Sequence, residues 1–237
     1  YTREQIDGER HQIKTGKLVA AIYTHDTARS VDEKIDPQLH SHAPVMNMTQ
    51  KEDGTWKSLE TKAIFENQLA IGAHYRGQLA KLINQNLGFN IQITDAKQGF
   101  WEIKNVDNKL LENFSSRRAQ ILEAAETLRE KMPNASEAAI KEMANKETRE
   151  WKGEIERDIV REDNKARAES MGYDKKWFEQ IKNNEKEIVN ENGVTAQDVI
   201  KEAIASIAEH NSVFSIGDVV SAGVKIGMKY GIGGEDI

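Results

Sequence analysis

The 237-residue chain has no cysteine, three prolines and 6% aromatic residues. Without cysteine there can be no disulfide, no thiolate-bound zinc and no thiol nucleophile, which accords with a reducing, cytoplasmic setting. No stretch approaches the roughly 20 consecutive apolar residues of a membrane-spanning helix, so no membrane segment is expected. Tyr1-Thr2-Arg3-Glu4-Gln5 has neither a basic nor an apolar leader region and is not a signal peptide. It also lacks a starting methionine, and the expectation is a fragment or a processed chain. There is no Walker A sequence, hence no P-loop ATPase in this stretch.

An excess of positive charge is missing too. The formal net charge is −6, which alone argues against a nucleic-acid-binding protein. The acidity is uneven, however: residues 61–120 carry more basic than acidic side chains, and most of the acidic excess lies in the second half.

The first half reads as mixed strand and helix. Leu18-Val19-Ala20-Ala21-Ile22-Tyr23 predicts a buried strand closed by His25-Asp26-Thr27. The polar stretch from Ala28 to Pro37 reads as a loop, and His40 to Thr49 as a second strand. Glu52-Asp53-Gly54-Thr55 is a tight turn. Leu59, Ile64, Leu69, Ile71, Leu79, Leu82 and Ile83 fit helical spacing to about Asn86, with Gly88 as its stop. Asn90–Thr94 and Phe100–Ile103 read as a hairpin around Gly99. Trp56 and Trp101 are taken as core.

Beyond about Asp107 the pattern is helical. Ser115 predicts an N-cap for a helix to about Lys131, broken by Pro133. Ala135 to about Arg167 is dense in charge, with a thin apolar stripe of Ile140, Met143, Trp151, Ile155 and Ile159, which predicts a solvated helical region. Met171 to Asp174 marks a break. Two short amphipathic helices follow, from Val194 and over Phe214–Tyr230.

One constellation carries chemistry. Residues i and i+2 of a strand share a face, so His40 and His42 present two imidazoles on one side, about 7 Å apart along the backbone. If the two strands pair antiparallel, His25 comes alongside them. Three imidazoles with open positions suit a catalytic ion such as zinc, nickel, copper or manganese, acting as a Lewis acid on a phosphate oxygen. The spacing alone leaves open an ordinary cluster of surface or core histidines. His11, His74 and His210 read as ordinary residues.

The run His25-Asp26-Thr27-Ala28-Arg29, followed by Asp36-Pro37-Gln38-Leu39-His40-Ser41-His42-Ala43-Pro44-Val45-Met46-Asn47-Met48-Thr49-Gln50, resembles the histidine motif of conjugative relaxases. More narrowly, it resembles the relaxase–helicase (MobF) type within the HUH endonucleases. The flanks Thr15–Val19, Gly54–Lys57, Asn67–Arg76 and Phe114–Ile121 resemble further family segments in the same order. The resemblance is weaker over 126–237, where it looks like a helical tail and then the entry to a helicase-like region near Phe214–Asp218.

What the resemblance implies is specific. His25, His40 and His42 hold a divalent metal ion (magnesium, manganese or zinc) that orients and polarises the scissile phosphate. A tyrosine hydroxyl attacks that phosphate and stays joined to the 5′ end. Gln68 and Arg76 contact the single-stranded DNA of a plasmid transfer origin, as Gln and Arg chemistry suits. Arg29 either touches a phosphate or braces its loop, and Asp26 either receives a ring N–H or simply ends its strand. Relaxosome and type IV secretion components are the implied partners, and the implied location is the bacterial cytoplasm with passage to a recipient cell.

Two departures stand out. Tyr1, Tyr23, Tyr75, Tyr173 and Tyr230 do not match the family's nucleophile motif, whose place lies upstream of Tyr1, so no catalytic residue is nominated and this chain alone is expected not to nick DNA. The His25–His40 connection is about four residues longer than the family pattern, the extra residues falling around Val31–Lys34.

The expected architecture is α+β: an incomplete antiparallel sheet with packed helices over 1–125, a helical extension over 126–193, and the helical start of a helicase-like region over 194–237. Two other readings remain, a catalytically inactive single-stranded-DNA-binding fragment and a structural, metal-stabilised α+β module.

Overall fold

The computed structural model describes residues 1–149, 156–182, 190 and 192–237. In chain order the strands and helices are β1 (Thr2–Ile6), β2 (Glu9–Ile13), β3 (Tyr23–Val31), β4 (Lys34–His42), β5 (Thr49–Gln50), β6 (Trp56–Lys57), α1 (Lys62–Glu66), α2 (Gln68–Leu82), β7 (Ile91–Asp95), β8 (Phe100–Ile103), α3 (Asn108–Asn113), α4 (Ser116–Lys131), α5 (Glu137–Glu147), α6 (Arg157–Ser170), α7 (Lys175–Lys182), α8 (Ala196–Ala208) and α9 (Ile216–Gly227). The class is α+β, and among the described residues each sheet is an antiparallel pair of sequence neighbours.

Two compact units emerge. One comprises Tyr1–Val19, Met46–Val106 and Lys176–Ile237; the other comprises Ala20–Val45 and Asp107–Lys175. Both are discontinuous in sequence. The β3–β4 hairpin packs with helices that begin more than 70 residues later, which no linear cut can represent.

In the first unit, α2 meets α9 and α9 meets α8. Close approach is built in: a Cβ added to Gly77 of α2 would collide with Val224 Cγ1 of α9. Ala73, Ala80, Val199, Ala203, Val224 and Met228 form the buried surfaces. Thr195 and Ser215 open α8 and α9 as capping boxes with Asp198 and Asp218, each pair satisfying two otherwise unbonded donors. The long helix read from the sequence divides at Asn67, ends in a π-helical turn over Ile83–Leu87, and stops at Gly88 in the left-handed region. The β7–β8 hairpin forms as expected. Trp56 is half exposed rather than core, because β5 and β6 are only two residues each and cover little.

In the second unit, α4 and α5 pack through Ala125, Leu128, Ile140 and Ala144, the alanines fully buried. Ile121, Ala125 and Leu128 recur at helical spacing, which gives α4 its apolar stripe. Helix α4 ends before Pro133. Ser136 then caps α5, and Arg129 grips Glu137 with two 2.8 Å bonds. Ile159 of the thin stripe is exposed, whereas Trp151 and Ile155 lie outside the described residues.

Two strand expectations are corrected here. The stretch from Ala28 to Pro37 is not a loop: it forms most of the β3–β4 hairpin, turning at Asp32-Glu33, both in the left-handed region as a two-residue hairpin turn requires. A two-stranded ladder solvated on one face accommodates polar residues, so polarity there did not mean loop. Leu18–Tyr23 is not buried. Leu18 is 60% and Ile22 73% exposed, and before Tyr23 enters β3 the run pairs with Val45 through an isolated bridge at Ala20.

Candidate functional site

The β3–β4 hairpin sets the site. Its register pairs Tyr23 with His42, Thr24 with Ser41 and His25 with His40. His25 and His40 therefore face each other across the ladder, and His42 joins them two residues on. Ring centroids stand 5.4 Å apart for His25–His40, 4.9 Å for His25–His42 and 5.0 Å for His40–His42. Three imidazoles sharing one tetrahedral ion at ordinary metal–nitrogen distances would stand about 5 Å apart centre to centre. The spacing thus fits a common ion.

The ring orientations fit less well. His25 and His40 are stacked, with planes 27° from parallel, and among the described residues no three donor side chains are arranged to hold an ion as they stand. The spacing is the firmer guide, because it is fixed by the backbone register, whereas the outer torsion of a histidine is soft and close to two-fold. One tautomer is already marked. His40 Nδ1 lies 2.8 Å from the Gln38 carbonyl, so in the neutral ring Nδ1–H donates and the Nε2 lone pair is left for a ligand.

The carboxylate beside His25 is engaged elsewhere. Asp26 sits at a register shift and accepts from Arg161 of α6 at 2.6 and 3.1 Å, and this guanidinium holds its carboxyl below the ordinary value. Its Oδ1 is buried with no partner. Asp26 does not end its strand, one of its two anticipated roles, because β3 runs on to Val31.

A buried carboxylate further along β4 fixes the hairpin. Asp36 is 3% exposed. Its Oδ1 accepts from Arg167 at 2.5 Å, and its Oδ2 accepts from the Ser116 backbone N–H at 2.7 Å, at the start of α4. Arg167 also stacks over Phe114, 3.9 Å from its ring centroid, and Asn164 donates to the Ile35 carbonyl. Ser115 occupies the N-cap position as expected, but its hydroxyl donates backward to Leu111, so the carboxylate from β4 supplies the cap. Arg117 donates to the carbonyls of Asn145 and Thr148 at the end of α5. These residues position the site, and sequence reading missed them.

Arg29 lies on β3 in the same unit and lines a cleft with Gln38, Arg118 and Lys141. Gln68 and Arg76 lie on α2, in the other unit. Arg76 donates through Nε to Gly99 O at 3.2 Å and through Nη2 to Gln98 O at 3.1 Å, its guanidinium 5.0 Å from the Phe100 ring centroid. Trp101 Nε1 donates back to the Arg76 carbonyl. Arg76 thus fastens the β7–β8 turn, a task that its surface-arginine appearance did not reveal. Tyr23, half exposed, stands opposite His42 in the ladder.

Known proteins resemble this chain along most of its length. A family model described as TrwC relaxase matches residues 1–171. The multifunctional conjugation protein TraI of Escherichia coli K12 is 27% identical over 241 residues, which cover 95% of this chain and 13% of that protein. The chain therefore spans about an eighth of this curated relative. A metal-free structure of conjugative relaxase TrwC in complex with oriT DNA superposes with a TM-score of 0.63 at 32% identity, covering 73% of this chain and 58% of that one. A copper-bound TrwC–oriT DNA structure matches with the same score and identity over 56% of its length.

Proposed function

The chain belongs to the TrwC relaxase family, and on that premise we infer that it forms the metal-binding part of a conjugative relaxase, an enzyme that nicks single-stranded DNA at a plasmid transfer origin by tyrosine transesterification. The observation that carries the reading is the meeting of His25, His40 and His42 on one hairpin with ring centroids about 5 Å apart. Metal-bound structures of TrwC in complex with oriT DNA support the same assignment.

His25, His40 and His42 would hold the ion. A divalent cation supplies Lewis acidity toward a non-bridging phosphate oxygen, where charge grows as the phosphate is attacked. The residues of this chain hold and orient. The Gln38 carbonyl keeps the His40 proton on Nδ1. Asp36, with Arg167 and the start of α4, keeps β4 from sliding past its supporting helices. Gln68 and Arg76 contribute to recognition of the strand, Arg76 through the face of its guanidinium not spent on the turn, and Arg29 meets the phosphate backbone. None of the five tyrosines of this chain is assigned the attacking role. Cytoplasmic action, passage to a recipient cell, and relaxosome and type IV secretion partners follow from the same reading.

Calorimetry with manganese or zinc ions tests it. The expected result is one saturable site per chain that the His40→Ala/His42→Ala double variant loses. Binding unchanged in the double variant, or no saturable binding in the parent chain, would overturn the metal-centre reading.

A further inference from the structure

A basic concavity of the second unit lies beside the imidazoles rather than on them. It is a cleft of about 670 Å³ between the hairpin and helices α4 and α5. Gln38 joins the two places: its carbonyl receives the His40 ring, and its residue lines the cleft.

The charge lining the cleft is one-sided. Arg29, Arg117, Arg118 and Lys141 contribute positive groups, and Asp36 is the one acidic residue among the lining residues. Asp36 does not offset them, because its two oxygens are taken by Arg167 and by the start of α4. Arg117 is committed to the end of α5. Lys141 faces a competing carboxylate, Glu137, but Arg129 holds that group with two bonds. Arg118 and Lys141 are both exposed, one on each of two packed helices, so their charges reach the cleft from both helices. Ile121 and Leu122 add an apolar strip of the kind a sugar or base edge can rest on.

A chain whose overall charge is −6 has concentrated cations in one concave place next to its histidine cluster. Resting on the relaxase reading above, we propose that this cleft is the track for the sugar–phosphate backbone of the nucleotides flanking the scissile phosphate, with Arg118 and Lys141 as its phosphate contacts beyond Arg29. Lysine and arginine contacts to phosphate position a strand without reading its sequence. Arg118 and Lys141 therefore set affinity and salt dependence equally for all sequences, leaving discrimination to other residues.

The test is binding of fluorescent single-stranded oligonucleotides, one of random sequence and one of transfer-origin sequence, across a salt series. The full chain is compared with Arg118→Ala/Lys141→Ala and with the conservative Arg118→Lys/Lys141→Arg. Each lost phosphate contact lowers the slope of log affinity against log salt by about 0.7 on single strands, so the alanine pair should lower it by about 1.4 on both oligonucleotides, and the conservative pair should restore it. Both positions are exposed, and circular dichroism identical to that of the parent chain excludes misfolding as the cause. If the parent chain binds DNA and the alanine pair binds with the same affinity and slope, the track lies elsewhere and the proposal falls while the relaxase reading stands. If the parent chain binds neither oligonucleotide at low salt, the DNA-acting reading falls and takes the track with it.

Discussion

Asp36 and Arg167, 131 positions apart in sequence, meet at 2.5 Å, and Asp36 is the most buried charged residue described in the second unit, at 3% exposure. The pair ties the histidine-bearing hairpin to α6, while the second carboxylate oxygen ties it to α4. Stability and site geometry therefore share one carboxylate.

Removing that carboxylate leaves the half-buried Arg167 without its ionic partner. Asp36→Ala should cost about 3–5 kcal/mol, and Asp36→Ala combined with Arg167→Met should recover much of the loss, since an apolar pair replaces a desolvated ionic one. Urea denaturation read by circular dichroism measures both. Equal destabilisation of the single and double variants would show that the helix-capping bond, not the ion pair, dominates.

The hairpin turn carries Glu33 at φ 66, a left-handed conformation that glycine adopts without strain. Glu33→Gly should raise the stability of the second unit by about 0.5–1 kcal/mol and leave metal affinity unchanged, because the turn lies at the far end of the ladder from His25. A loss of stability would indicate that the Glu33 side chain makes a contact worth more than its backbone strain.

Arg76 offers a way to separate structure from recognition. Arg76→Ala should speed amide exchange around Gln98 and Gly99 and lower stability by about 1–2 kcal/mol in the absence of any DNA, since two carbonyl bonds and a ring contact are lost. Unchanged exchange would return Arg76 to a purely ligand-facing role.

Asp236 should carry one share of the acid sensitivity of the first unit, alongside the lowered carboxyls of Asp53, Asp198 and Asp218. Its carboxyl is held below the ordinary value of 3.8, first by the bond from Lys81 at 2.7 Å and, in smaller measure, by the Gly233 N–H. The folded state thus binds this proton less readily than the unfolded state. The stabilisation is complete above 3.8 and disappears as pH falls through the lower folded-state value. Asp236→Asn should therefore lower the melting temperature at neutral pH, by an amount corresponding to less than about 1 kcal/mol for this partly exposed pair. That gap should close as the pH is lowered below 3.8. A gap that persists in acid would assign the effect to packing.

Much of the class was legible because it depends on local pattern. Gly88 and Pro133 stop helices where their backbone chemistry says they must, and Ile91–Asp95 with Phe100–Ile103 alternate as a hairpin. The placing of His25 across from His40 and His42 followed from two-residue alternation once antiparallel pairing was assumed. What was not legible depends on distance in sequence. The cap of α4 comes from a carboxylate 80 residues earlier, and the carbonyls that occupy Arg76 lie more than 20 residues later. The polar run from Ala28 to Pro37 misled for a different reason: a ladder with one solvated face needs no apolar alternation to pair.

The ladder between the imidazoles and the turn contains two register shifts, one on each side of Thr27, and they offset each other. Ser30 pairs with Ile35 and Val31 with Lys34 in the same frame as His25 with His40. Because successive side chains alternate faces, residues gained or lost beyond Thr27 in equal numbers on both strands leave every imidazole on its own side. The arm can therefore vary in reach by whole pairs of residues, while an odd insertion within one strand would turn one histidine away from its companions.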